Sequence, residues 1–230
     1  APELAQLIAE SFDQIPITRW LVPFTMERHR IMSKYFQLFI EHAAGYGTVD
    51  VADDLSGVAV WLPAGVPEPP PIGDFDRRLA EICGAHLDRF EALHEAMDLV
   101  HPTSPRHDHL LFLAVRPDRQ RQRLGTALLQ RHHQWLDLER LPAYLEATSA
   151  DSVRLYRRHW YTALDEPFTP RSDCDGLMFP MWRSPERPQP DQGPSPSAPA
   201  HRDGAPAGAG IPPHRNGGSH APRARPVHQP

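Results

Sequence analysis

The stretch Leu110–Leu129, LLFLAVRPDRQRQRLGTALL, decides how the chain is read. Leu110 to Val115 is an unbroken apolar run, the pattern of a strand buried on both faces. Arg116 to Arg123 is a charged turn holding Arg116, Arg119, Arg121 and Arg123. Leu124-Gly125-Thr126 then opens a helix with Leu124, Leu128, Trp135 and Leu138 spaced to face inward. The first turn of a helix has unpaired backbone N–H groups and a partial positive charge, so this junction can receive an anionic phosphate. Gly125 would let the backbone approach such a ligand, and the arginines would add charge-assisted bonds. A solvated basic turn between strand and helix explains the same residues equally well.

On the carboxyl side, Ala143–Ala147 reads as a strand, 151–159 as a short helix capped by Asp151, and Tyr161–Phe168 and Leu177–Trp182 as closing strands. On the amino side, Leu4, Leu7, Ile8 and Phe12 mark a first helix. Met32, Tyr35, Phe36, Phe39, Ile40 and Ala43 mark a second, across residues 24–44. Val49 and Val51, a turn at Asp53-Asp54 and Ser56-Gly57, then Val58, Val60 and Leu62 form a hairpin. A loop over Pro63–Pro71, one long amphipathic helix over residues 73–100 and a polar stretch from His101 to His109 complete the pattern. Strand, turn, helix, strand, helix, strand behind a hairpin is an α/β (α+β) arrangement.

Composition narrows the function classes. The chain has 230 residues, a net charge of −5 and 27 prolines. Twelve of those prolines lie between Pro185 and Pro230, where large aliphatic residues almost vanish, so 184–230 reads as a disordered tail behind a single domain at 1–183. No apolar run is long enough to span a membrane, and Pro2, Glu3, Gln6 and Glu10 interrupt any signal-peptide core. Cys83 and Cys174 have no metal-ligand spacing, so no metal is expected. A mildly acidic balance argues against nucleic acid as a partner. The expected setting is cytoplasmic, as monomer or homodimer.

The turn resembles the acetyl-CoA loop of GNAT acetyltransferases, Gln/Arg-x-x-Gly-x-Gly/Ala. Gln120 stands first and Gly125 last, with Arg123 in place of the middle glycine. Val51-Ala-Asp-Asp54, Gly57-Val-Ala-Val-Trp61, Arg78-Leu-Ala-Glu81, Leu145-Glu146, Leu155-Tyr-Arg-Arg-His159 and Pro180-Met-Trp-Arg183 are similar to landmarks of the puromycin N-acetyltransferase branch. The resemblance spans about residues 4–183.

It implies the GNAT fold, a mixed central sheet with splayed strands between helices. The resemblance would place the family's first strand ahead of Pro2, so a chain truncated at its amino end is expected. It implies acetyl-CoA as cosubstrate, with the diphosphate on the amides of Gln120, Arg121, Gln122, Arg123, Leu124, Gly125 and Thr126. The pantetheine arm would lie along Leu113, Ala114 and Val115. Ser152 matches the position of a family asparagine on the cofactor side. Tyr156 would be the general acid, and Glu146 would serve the amine as base or through water. A carboxylate inside an apolar strand is itself a reason to suspect a site. Aromatic packing for Tyr156 and a solvent-facing place for Glu146 remain open.

His132, His133 and His159 fall in an exposed helical pattern and are set aside. The acceptor implied is a primary amine on a small, antibiotic-like molecule. Arg123, and Trp160 where glycine is usual, keep open a catalytically idle acyl-CoA-binding or regulatory domain. Acetylation of a protein amino terminus differs only in acceptor.

Overall fold

The computed structural model describes residues 1–185. The expected tail, apart from Ser184 and Pro185, lies outside the described residues. Helices α1 (Pro2–Phe12), α2 (Pro16–Leu21) and α3 (Thr25–Tyr46) come first, then the hairpin β1 (Thr48–Val51) and β2 (Gly57–Ala64). Helices α4 (Phe75–Cys83) and α5 (Leu87–Val100) follow, then β3 (His107–Val115), α6 (Leu124–Glu139), β4 (Ala143–Ala147), α7 (Ala150–Arg158), β5 (Thr162–Ala163) and β6 (Phe179–Arg183). The strands form one mixed sheet in the order β1-β2-β3-β4-β6-β5.

Alternation along β2 divides the molecule into layers. Val58 and Val60 point into a core built with α1 to α5, whereas Ala59 and Trp61 point into a second core under α6 and α7. The sheet is therefore sandwiched between two helical layers.

β2 pairs with β3 along its whole length, with a register shift between Val60 and Trp61. β3 and β4 run parallel but pair only at Asp108↔Ala143 and His109↔Tyr144. Beyond those two rungs they diverge, leaving Leu110–Val115 unpaired on the side facing β4. Leu111, Phe112, Leu113 and Val115 are accordingly half-buried, not covered on both faces as the apolar run suggests.

Several expectations need correction. The polar stretch before the apolar run is partly strand: β3 starts at His107. The long helix breaks at Gly84, where φ is +53° and a 3-10 turn, Gly84–His86, separates α4 from α5. A helix absent from the sequence reading, α2, begins with Pro16 at its first position. The stretch Tyr161–Phe168 holds only the two-residue β5 and a bridge from Phe168 to Met178.

In α6, Trp135 and Leu138 face solvent (44% and 82% exposed), while His132 and His133 are buried. His132 stacks on Trp61 with ring centroids 4.1 Å apart. Its Nε2 lies 2.9 Å from Asp108 and its Nδ1 3.4 Å from Asp50. Burial alone would depress this imidazole, but the two carboxylates win and the net shift is upward. The histidine thus ties α6 to β1 and β3. His159 is buried too.

The expected irregularity at Trp160 is present. Trp160 has φ +67°, its N–H donates to the Arg157 carbonyl, and the Tyr161 N–H donates to that of Tyr156. This is a Schellman ending of α7 with tryptophan where glycine is favoured. Because the indole is 70% exposed, Trp160→Gly should relieve strain at little packing cost. We expect it to raise stability by about 1 kcal/mol, read by urea unfolding. A loss would show that the side chain contributes more than its backbone costs.

Candidate active site

The divergence of β3 from β4 opens a cavity of about 1040 Å³. One end is bounded by Val115, Gln120, Ser149, Ser152 and Tyr156, the floor by His109 and Glu146, and the other end by α3, α4 and α5. The sequence-predicted residues Leu113, Ala114, Val115, Gln120, Ser152, Tyr156 and Glu146 all line this one space.

The charged turn leads from β3 into α6. Gln120 Nε2 donates to the Val115 carbonyl at 3.2 Å, which folds the turn back against the strand. Arg121 and Arg123 both adopt left-handed backbone, with φ of +62° and +64°. Alternating left-handed residues turn successive N–H groups to one side of a concave loop. Arg123 is also the N-cap of α6 and makes no side-chain cap bond, and among the described residues no side chain accepts from the N–H groups of the first turn.

The four arginines are not equivalent. Arg116 pairs with Asp118 at 2.6 Å and Arg119 with Asp54 at 3.0 Å, whereas Arg121 and Arg123 are exposed and have no carboxylate partner among the described residues. Gln122 is held by Arg119, and Thr126 faces His159 at 3.4 Å. Gly125 is not forced by the protein's own packing. A Cβ there would sit 3.7 Å from Leu113, an ordinary contact.

On the far side of the gap, Ser149 caps α7, correcting the expectation for Asp151. Ser149 Oγ accepts from the Ser152 N–H at 3.1 Å, and Ser152 Oγ accepts from the Ser149 N–H at 3.0 Å. Ser152 therefore shapes the helix start that faces the cavity. One turn further, Tyr156 is nearly buried beside Tyr161, with ring centroids 5.7 Å apart, and burial pushes its phenol pKa upward. It stays protonated at neutral pH and can act as a donor.

Glu146 points inward from β4 with its side chain 3% exposed. Its Oε2 sits 2.8 Å from His109 Nε2, while its Oε1 is buried without a hydrogen-bond partner among the described residues. Burial opposes ionisation, but the charge and hydrogen bond of His109 outweigh it, and the Tyr144 hydroxyl alongside adds to them. The net shift is downward and Glu146 is a carboxylate. A buried carboxylate lining a cavity can hold an incoming ammonium group by charge and hydrogen bond.

His101 packs against His109 at 4.7 Å and bonds His107 at 3.2 Å, and burial brings its pKa down to about 4. His101, His109 and Glu146 hold ligand-type atoms within 4.8 Å of one another. The direct Glu146–His109 contact at 2.8 Å joins two of the three. His109 was missed by sequence reading because 101–109 looked like a polar loop. The alternation of His107 and His109 leading into the apolar run was the available signal.

Comparison with known proteins matches residues 10–160 to a family model described as Acetyltransferase (GNAT) family. A solved Corynebacterium glutamicum protein, histone acetyltransferase HPA2 and related acetyltransferase, is 25% identical. The match covers 82% of this chain and 92% of that one, with a TM-score of 0.61. The C-terminal condensation domain of Ebony, in complex with beta-alanyl-dopamine, is 15% identical over 79% of this chain and 92% of its own, with a TM-score of 0.51.

Proposed function

The chain belongs to the GNAT acetyltransferase family, and from that premise we propose that it transfers acetyl from acetyl-CoA to a primary amine of a small molecule by direct attack on the thioester. The observation that carries this reading is the gap between β3 and β4. It brings an unpaired strand edge, a buried carboxylate with a free oxygen and a protonated phenol to one cavity.

The residues present fit the donor. The concave loop and first turn at 120–126 would supply amides for a diphosphate, and Arg121 and Arg123, without carboxylate partners among the described residues, would supply positive charge. Acetyl-CoA brings the activated thioester. The strand edge at Leu113–Val115 would pair with the pantetheine amides, and one N–H there would face the thioester carbonyl where negative charge develops. The Glu146–His109 pair would take the proton of the attacking amine, and Tyr156 would donate one to the departing thiolate. Holding two reactants in line supplies much of the acceleration.

The idle-domain reading rested on Arg123 and Trp160. Both are accommodated in left-handed backbone at a local cost, and neither lines the cavity. A small-molecule acceptor and the puromycin-branch resemblance both draw support from the same motifs.

Two measurements test the proposal. Calorimetry should give micromolar affinity for CoA, on the order of 1–100 μM, and a primary-amine panel should release free thiol with acetyl-CoA. No CoA affinity would overturn it. Tyr156→Phe should lower kcat about 10- to 100-fold with CoA affinity changed less than about twofold, since a thiol of pKa near 8.5 leaves without much help. An unaltered kcat would remove Tyr156 from the scheme.

A further inference from the structure

The cavity's end away from the arginine-bearing turn has a charge pattern of its own. Glu91, Glu95 and Asp98 recur along α5 at positions that share one helix face. Asp76 in the first turn of α4 and Glu68 in the loop after β2 complete the rim. None of these five carboxylates forms an ion pair among the described residues, and no lysine or arginine lines the cavity. The basic residues on the same helices are engaged elsewhere. Arg77 binds Asp74 and Glu81, Arg78 binds Glu41, and Arg89 donates to the Trp20 carbonyl. Between rim and floor lies an aromatic band of Tyr35, Phe36, Phe39, Phe75 and Phe112. At the floor, Glu146 lines the same space, and its buried Oε1 has no hydrogen-bond partner among the described residues.

We infer that the outer half of this cavity is a subsite for a second positive charge on the acceptor, so the substrate class is an amine with another cationic group across an apolar spacer. The inference rests on the reading of the cavity as an acceptor site. Five uncompensated carboxylates around a cleft with low-dielectric walls focus a negative potential there. A monoamine satisfies Glu146 and leaves that rim unbalanced. A diamine neutralises both ends while its spacer lies on aromatic faces, which also attract cations. The two reactants are thereby sorted by charge, the polyanionic nucleotide toward Arg121 and Arg123 and the polycation toward α5.

The test uses three amines of one length: 1,8-diaminooctane, 8-amino-1-octanol and 8-aminooctanoate. Wild type should favour the diamine over the amino alcohol by about 10- to 100-fold in kcat/KM at low salt, with the amino acid worst. The preference should shrink in high salt. In Glu91→Gln/Glu95→Gln/Asp98→Asn the diamine-to-alcohol ratio should fall toward one. Equal use of diamine and alcohol by wild type, or an unchanged ratio in the triple variant, overturns the inference. Calorimetry of diamine and alcohol on the CoA-loaded protein reads the rim without turnover. Charge-selective binding with no thiol release would keep the subsite and sink the acetyltransferase reading. Turnover without charge selectivity would do the reverse.

Discussion

Glu146→Gln is expected to lower kcat/KM for the amine by about 10²- to 10⁴-fold, with CoA affinity unchanged within about twofold. Glutamine keeps the shape of the side chain and can still bond His109, so the substitution removes the charge and the proton-accepting capacity with little else. Wild type and variant should be compared with one amine across pH, so that ionisation of the free amine cancels in their ratio. Glu146 has its pKa lowered in the fold, so it remains a carboxylate at neutral pH. The ratio should therefore stay high through neutrality and decline only once pH falls below the ordinary glutamate range, where protonation makes wild type resemble the variant. A variant within threefold of wild type at neutral pH would leave the carboxylate without a role in proton transfer.

Glu146 could be suspected from sequence because a charge stands out in an apolar strand. Its partner could not. His109 comes from a stretch whose neighbours are Pro102, Pro105 and polar residues, and only the sheet brings it beside β4. The strand–turn–helix around Gly125 was legible because the apolar run and the helix period change sharply at Arg116. The second half of α6 was not. Hydrophobicity assigned Trp135 and Leu138 to the core, but the inward face carries His132 and His133, buried by a ring stack, carboxylates and the Tyr161 hydroxyl. Such burial is fixed by tertiary partners, so periodicity misplaces it. The left-handed residues Arg123 and Trp160 were legible for the opposite reason, since the resemblance marked them as glycine positions.

The largest stability effect should come from the helical layer that walls the cavity. Arg28 is buried on α3, and its guanidinium donates to Asp13 at 2.8 Å, to the Val22 and Pro23 carbonyls at 2.9 Å each, and to Thr25 at 3.2 Å. Asp13 → Ala removes the counter-charge and leaves the cation with neutral acceptors alone, which typically costs 3–5 kcal/mol in a closed site. The Asp13 side chain is 12% exposed, so water softens the penalty and about 3 kcal/mol is expected. For a domain of this size that is a drop in Tm of about 6–12 °C. Adding Arg28→Met should recover most of the loss, because an apolar side chain needs no counter-ion. A single variant losing less than 1 kcal/mol would show that the carbonyls suffice. The pH dependence has a fixed sign. The Arg28 hydrogen bond lowers the Asp13 pKa against the opposing effect of burial, with the charges of Arg28 and His29 adding to it. The stabilisation is therefore complete above the ordinary aspartate value and lost as pH falls through the lowered one, a dependence the alanine variant should lack. Since Phe12, Ile15, Ile17 and Thr18 beside this pair line the cavity, the ion pair that holds α1, α2 and α3 together also holds one wall of the proposed acceptor site.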